Sequence, residues 1–100
     1  MTNIKELLPQ IEEIRKQVVP TIDTRTREIL SDKVRTLAEI AQNESIEAHK
    51  ISYDLGIKLT QIESDLFTIA HRINSKLAPY SPERAKQELD AVYGKITTFK

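Results

Sequence analysis

The sequence predicts an all-α protein, an antiparallel up-and-down four-helix bundle, and three observations carry the prediction. Apolar residues recur every three or four positions over the chain's longest periodic segment. There Ala48, Ile51, Leu55, Leu59, Ile62, Leu66, Ile69, Ile73 and Leu77 keep the period of an α-helix. Short breaks separate the periodic segments, at Pro20, at the polar run Gln42-Asn43-Glu44-Ser45, and at Pro79 and Pro82. Finally, 100 residues with a 39% hydrophobic fraction suit one domain with one core. Helices of unequal length joined by short turns close most simply as a bundle.

The first helix is predicted over 4–19. Asn3 and Glu6 have the spacing of a capping box, and Ile4, Leu7 or Leu8, Ile11, Ile14 and Val18 form its apolar stripe. Pro9 would remove the hydrogen bond to the Lys5 carbonyl, so the helix either kinks there or starts near Leu8. Pro20 pushes Val19 toward extended geometry and ends it.

The second helix is predicted over 23–42, capped by Asp23 or Thr24, with Ile29, Leu30, Val34, Leu37, Ile40 and Ala41 turned inward. A turn at 42–45 then starts a third helix over 45–77, where Glu44 and Glu47 would suit its positive end. Its polar face carries Lys50, Asp54, Lys58, Gln61, Asp65, Arg72 and Lys76. The apolar phase runs through the proposed turn from Leu30 to Leu55, so an elongated helical hairpin or coiled coil, built on one rod of roughly 80 Å, is the structural alternative. Gly56, inside the third helix, either permits close packing or is merely tolerated. The fourth helix is predicted over 82–98, with Ser81 as N-cap, Pro82 at the first position and Tyr80 stapled onto Ala85. Ala85, Leu89, Val92, Ile96 and Phe99 line its inner face.

Fifteen basic residues balance fifteen acidic ones, so no net positive field draws the chain to nucleic acid. Cysteine is absent, which excludes a disulfide framework and thiolate metal sites. The N-terminus carries Glu6 and lacks the apolar run of a signal peptide, and no apolar run is long enough to cross a membrane. The expected location is the cytoplasm.

Catalysis finds little footing. His49 and His71, both placed on the third helix, stand six turns apart and cannot share a metal ion within one chain. Thr68 and Ile46 occupy the positions where a di-iron bundle would need glutamates. Ala70-His71-Arg72-Ile73 resembles the reactive stretch of histidine phosphotransfer domains, which would make the chain a phosphorelay carrier. Those domains continue with lysine and glycine where this sequence has Asn74 and Ser75. Ile11-Glu12-Glu13-Ile14-Arg15 resembles the first helix of small helical chorismate mutases, but Val18, Val19 and Pro20 break the continuation. Arg15, Arg25, Arg27, Lys33 and Arg35 have the chemistry to bind carboxylates and read more simply as solvated. No catalytic triad order or glycine-rich phosphate loop is present. The expectation is a protein that is not an enzyme and uses no metal or cofactor.

Three of the five aromatic residues, Tyr80, Tyr93 and Phe99, fall in the last 21 positions, where Lys95 and Lys100 also sit. Aromatic and arginine side chains anchor protein interfaces, which makes the final helix and the turn before it the candidate contact surface. Tyr80 and Phe99 also have structural readings, as a staple and as part of the core stripe.

Leu77-Ala78-Pro79-Tyr80, followed by Glu88-Leu89-Asp90-Ala91-Val92-Tyr93-Gly94-Lys95-Ile96-Thr97, resembles the immunity proteins of pediocin-like bacteriocins. Leu89, Val92, Tyr93 and Ile96 match the spacing of that family's final helix, and the long preceding helix is similar as architecture. The chain differs in being neutral overall, where many of those proteins are basic, and in having no long charged tail after the last helix. The resemblance implies a cytosolic four-helix bundle, peripheral at the inner membrane face, that protects a bacteriocin producer. It would do so by recognising the complex of the peptide with the membrane part of a mannose phosphotransferase permease. It also implies that Tyr80, Arg84, Tyr93, Lys95 and Phe99 are contact residues and that none performs chemistry. A coiled-coil adaptor or structural interaction protein is the alternative, and a homodimer fits either reading.

Overall fold

A computed structural model describes residues 4–74 and 80–99. A 3-10 turn, Ile4–Leu7, leads into α1, Leu8–Gln17; then follow α2, Thr24–His49, α3, Tyr53–Ile73, and α4, Pro82–Thr97. Asn3 of the expected capping box, Lys76 and Leu77 of the third helix, and the Leu77-Ala78-Pro79 part of the resemblance lie outside the described residues.

Proline and capping chemistry set most boundaries. Pro9 falls in the first turn of α1, where its missing N–H costs no helical bond, so the helix starts at Leu8 instead of kinking. It ends at Gln17, and Val18 turns extended ahead of Pro20. Asp23 caps α2 by accepting a bond from the Thr26 N–H at 2.7 Å, and the Thr26 side chain, followed by this N–H, lowers the pKa of its carboxyl from the ordinary value. Pro82 opens α4 as expected, whereas Ser81 makes no side-chain capping bond.

The break expected at 42–45 is displaced. Residues 42–45 continue α2, and the chain turns at 50–52 instead. Ser52 provides the stop and the restart: its N–H closes on the Ala48 carbonyl at 2.7 Å, and its Oγ accepts from the Leu55 N–H of α3. His49 and Lys50 therefore do not belong to the third helix; His49 is the last residue of α2 and Lys50 lies in the turn. Ile51, which kept the helical period, is an exposed turn residue. Ile29 likewise lies on the outer side of α2. At its far end α3 stops at Ile73.

The turn at 50–52 excludes a rod: the molecule measures 43 × 22 × 19 Å, with a radius of gyration of 13.5 Å over Cα atoms. A compact chain of this length has about 13 Å. Polar contacts fix the helix directions. Ser31 reaches Ala70 and Ser45 reaches Gly56, so fourteen residues forward on α2 match fourteen back on α3. Arg72 pairs with Glu88 and Asp65 with Lys95, seven back against seven forward. Asp90 meets Arg15 and Tyr93 meets Glu12, three forward against three back. Each helix thus runs antiparallel to its neighbours, in a closed up-and-down bundle.

Leu30, Val34, Leu37, Leu66, Ile69, Ile73, Leu89 and Ile96 fill the core, with Leu7, Ile11 and Val18 closing it from the α1 side. Each such side chain contributes roughly 1.5–3 kcal/mol by leaving water. The α2–α3 pair is the most extensive. Ser31, Ala38 and Ser45 recur there at heptad spacing and face Ala70 and Gly56, and small residues on both sides let the two backbones come close. With α1 only 10 residues long, the hairpin of α2 and α3 extends past the rest of the bundle.

Candidate functional site

The five predicted contact residues all lie on or beside α4, but the fold does not gather them into one patch. Tyr80 and Arg84 stand at one end of α4 and Phe99 at the other, roughly 20 Å away at 1.5 Å per residue. Tyr93 points to the α1 side and Lys95 to the α3 side.

Four of the five have internal roles. The Tyr80 hydroxyl donates to the Val19 carbonyl at 2.7 Å, and the Arg27 guanidinium lies 5.7 Å from the ring centre. Burial raises the Tyr80 pKa, partly opposed by the Arg27 charge. Tyr93 donates to Glu12 at 2.7 Å, and that bond to a carboxylate, by favouring the protonated phenol, raises its pKa. Lys95 pairs with Asp65 at 2.6 Å across the α3–α4 seam. Phe99 packs against the core from just past the end of α4. Arg84 is exposed.

Tyr93 nonetheless borders a usable surface. With Ile11, Glu12, Arg15, Lys16 and Asp90 it lines a groove of about 270 Å³ between α1 and α4. Arg15 there makes a two-pronged contact with Asp90, at 2.6 and 3.2 Å, so it is not simply solvated. Arg25, Lys33 and Arg35 are exposed to solvent.

The two histidines occupy separate settings. His49 Nδ1 bonds the Ser45 carbonyl at 2.8 Å, and its ring meets Tyr53 edge-on at 5.9 Å. His71 is exposed near the other end of α3. Among the described residues no group of three or more His, Asp or Glu side chains could hold a metal ion, and no helix is long and apolar enough to cross a membrane.

A second surface was not expected. The flank of α3 away from the core carries Tyr53, Ile57, Thr60, Ser64, Phe67 and His71, with Tyr53 against His49 and Thr60 bonded to Ser45 of α2, and a groove of about 520 Å³ runs along it from Thr60 to Arg72. Tyr53 is 71% and Phe67 40% exposed. The signal is present in the sequence: these residues are spaced four, three, four, three and four apart, a heptad seam opposite the core stripe. Only two strongly apolar residues and one tyrosine mark it, and the stronger stripe beside it dominates the periodicity.

Fold and surface together define a small helical-bundle protein with grooves on its α1–α4 and α3 flanks. Comparison with protein-family models, with curated proteins and with solved structures finds no match for this chain.

Proposed function

We propose that this chain is a binding protein of the bacteriocin-immunity type, which protects a cell by recognising a bacteriocin–permease complex and carries out no reaction. The observation that supports this reading is the state of α4. Leu89, Val92 and Ile96 are sunk in the core of an antiparallel four-helix bundle, while Tyr93 from the same motif sits on the flank beside a groove. These four residues are the ones whose spacing resembles that family's final helix. In this reading the protein is cytoplasmic and meets its partner at the inner face of the membrane. The α1–α4 groove with Tyr93 forms one contact surface, Arg84 and Lys95 add contacts on other sides of α4, and Tyr80 and Phe99 hold the ends of α4 in place.

The test is expression in a bacteriocin-sensitive strain that carries the mannose permease, followed by challenge with pediocin-like peptides. Survival at concentrations that kill the empty-vector control is the expected result. No protection against any peptide of that class overturns the reading. With protection in hand, Tyr93→Ala combined with Lys95→Ala abolishes it while the circular dichroism spectrum stays helical.

The exposed heptad seam on α3 favours a second reading, a structural interaction protein that works by helix pairing. It predicts capture of a partner with no effect on bacteriocin survival.

A further inference from the structure

Of the six exposed large apolar side chains among the described residues, the three most exposed fall together within 46–53: Ile51 at 77%, Tyr53 at 71% and Ile46 at 54%. They surround a single turn. Ile46 stands in the last turn of α2, Ile51 between the helices, and Tyr53 at the start of α3 with its ring edge-on to His49. That turn is the tip of a protrusion. Lys95, in the last turn of α4, is level with Asp65, so α3 runs on roughly 18 Å past that pair, at 1.5 Å per residue, before it reaches Tyr53.

We propose that this tip is a membrane contact: Ile46, Ile51 and Tyr53 enter the headgroup region of a lipid bilayer. The hairpin then stands on the surface with Tyr80, at the Val19 and Arg27 end of the bundle, in solution.

Three observations favour lipid over a protein partner. The N–H groups of Lys50, Ile51 and Ser52 are all bonded to the carbonyls of Glu47 and Ala48, so leaving water strands none of these donors. Stranded backbone groups are what keep ordinary turns out of lipid. The tip is also small. A protein interface takes about 20–30 residues a side, whereas a bilayer accepts a few convex side chains without a matching shape. Finally, Glu47 and Lys50, paired at 3.3 Å, and Asp54 hold the insertion at headgroup depth, where the lysine stem can keep its ammonium in water. Tyrosine suits the same zone. With two acidic residues to one lysine, attachment comes from apolar burial and not from attraction to anionic lipid. This contact goes beyond the immunity reading and does not rest on it, since it needs neither permease nor bacteriocin.

Flotation of the full chain on phosphatidylcholine vesicles, with and without phosphatidylglycerol, tests it. Wild type floats with both, at low and at high salt. Ile46→Ser combined with Ile51→Ser weakens the partition about tenfold while the circular dichroism stays helical, because both side chains are exposed in the free protein. Depth is read from tryptophan, which the chain lacks. The emission of Ile51→Trp shifts to the blue on vesicle addition and is quenched by lipid brominated on its acyl chains. Ile29→Trp, on the outer side of α2 roughly 25 Å back along the helix from Ile46, does neither. Wild type that fails to float overturns the proposal, as does undiminished flotation of the double serine variant. Equal quenching at positions 29 and 51 overturns the placement at the tip. Flotation lost at high salt, or confined to anionic vesicles, overturns the apolar mechanism.

Discussion

The imidazole of His49 occupies the space that a side chain on Gly56 would need: a β-carbon added to Gly56 would overlap the ring. Glycine inside a helix costs about 1 kcal/mol relative to alanine, and here that cost allows the last residue of α2 to fold over the first turn of α3. Gly56→Ala should thus destabilise the protein, by about 1–2 kcal/mol, because the ring must leave its bond to the Ser45 carbonyl and its edge contact with Tyr53. In a His49→Ala background the same change becomes neutral or stabilising by up to about 1 kcal/mol. Urea unfolding of the four members of this double-mutant cycle, followed by circular dichroism, gives the coupling. Equal effects of Gly56→Ala in both backgrounds would remove His49 from the explanation.

Ser31 and Ser45 clip α2 to α3. Ser31 Oγ donates to the Ala70 carbonyl at 2.8 Å; Ser45 Oγ lies 3.1 Å from the Gly56 carbonyl and 2.6 Å from Thr60 Oγ1. Ser31→Ala and Ser45→Ala each cost about 1 kcal/mol, the net worth of one hydrogen bond. Ser31→Leu costs more, about 1–3 kcal/mol, because overpacking forces the close-set backbones apart. Thermal unfolding distinguishes the two mechanisms. A leucine variant no less stable than the alanine variant would mean that backbone approach is not the constraint.

These two serines also explain where the sequence was legible and where it was not. The starts of α1, α2 and α4 follow from Pro9, Asp23 and Pro82, whose effects are local. The run Gln42-Asn43-Glu44-Ser45 looks like a loop because its polarity is visible and its partners are not. Ser45 is buried in mid-helix, its hydroxyl satisfied by groups 11 and 15 residues away that only the hairpin brings near. Ile51 fits the helical period yet sits in the turn, because Ser52 caps α3 after it. The site divides the same way. Its residue types could be read from composition, but Tyr93 and Glu12 are 81 residues apart, and Tyr80 and Val19 are 61 apart. No spacing argument connects such pairs before the bundle closes.

Asp23 and Tyr93 bracket the pH range of stability. Thr26 lowers the Asp23 pKa in the folded state, so its stabilisation is full above the unfolded carboxylate value near ~3.9 and fades as pH falls through the lower folded value. Tyr93 is shifted up by its bond to Glu12, so its contribution is full below about pH 10 and fades as pH rises through the folded value. Melting temperatures measured from pH 2 to 11 should show a flattened acid limb for Asp23→Ala and a flattened alkaline limb for Tyr93→Phe. An acid limb identical to wild type in Asp23→Ala would assign acid sensitivity to other carboxylates.

Two ion pairs cross the α3–α4 seam at different depths. Arg72–Glu88 is the more sheltered, with side chains 29% and 27% exposed, against 50% and 38% for Lys95–Asp65. Losing one partner of an exposed pair costs about 0–1 kcal/mol, whereas a half-buried carboxylate left alone keeps its desolvation cost and loses its charge partner. Arg72→Ala should therefore destabilise by about 1–2 kcal/mol and Lys95→Ala by less than about 1 kcal/mol, with the Lys95 effect disappearing at 1 M salt. Denaturant unfolding at low and high salt measures both. The contrast also bears on the functional test. A Lys95 variant that loses protection while keeping nearly all its stability has lost contact with a partner, and one that loses both has only lost the α3–α4 seam.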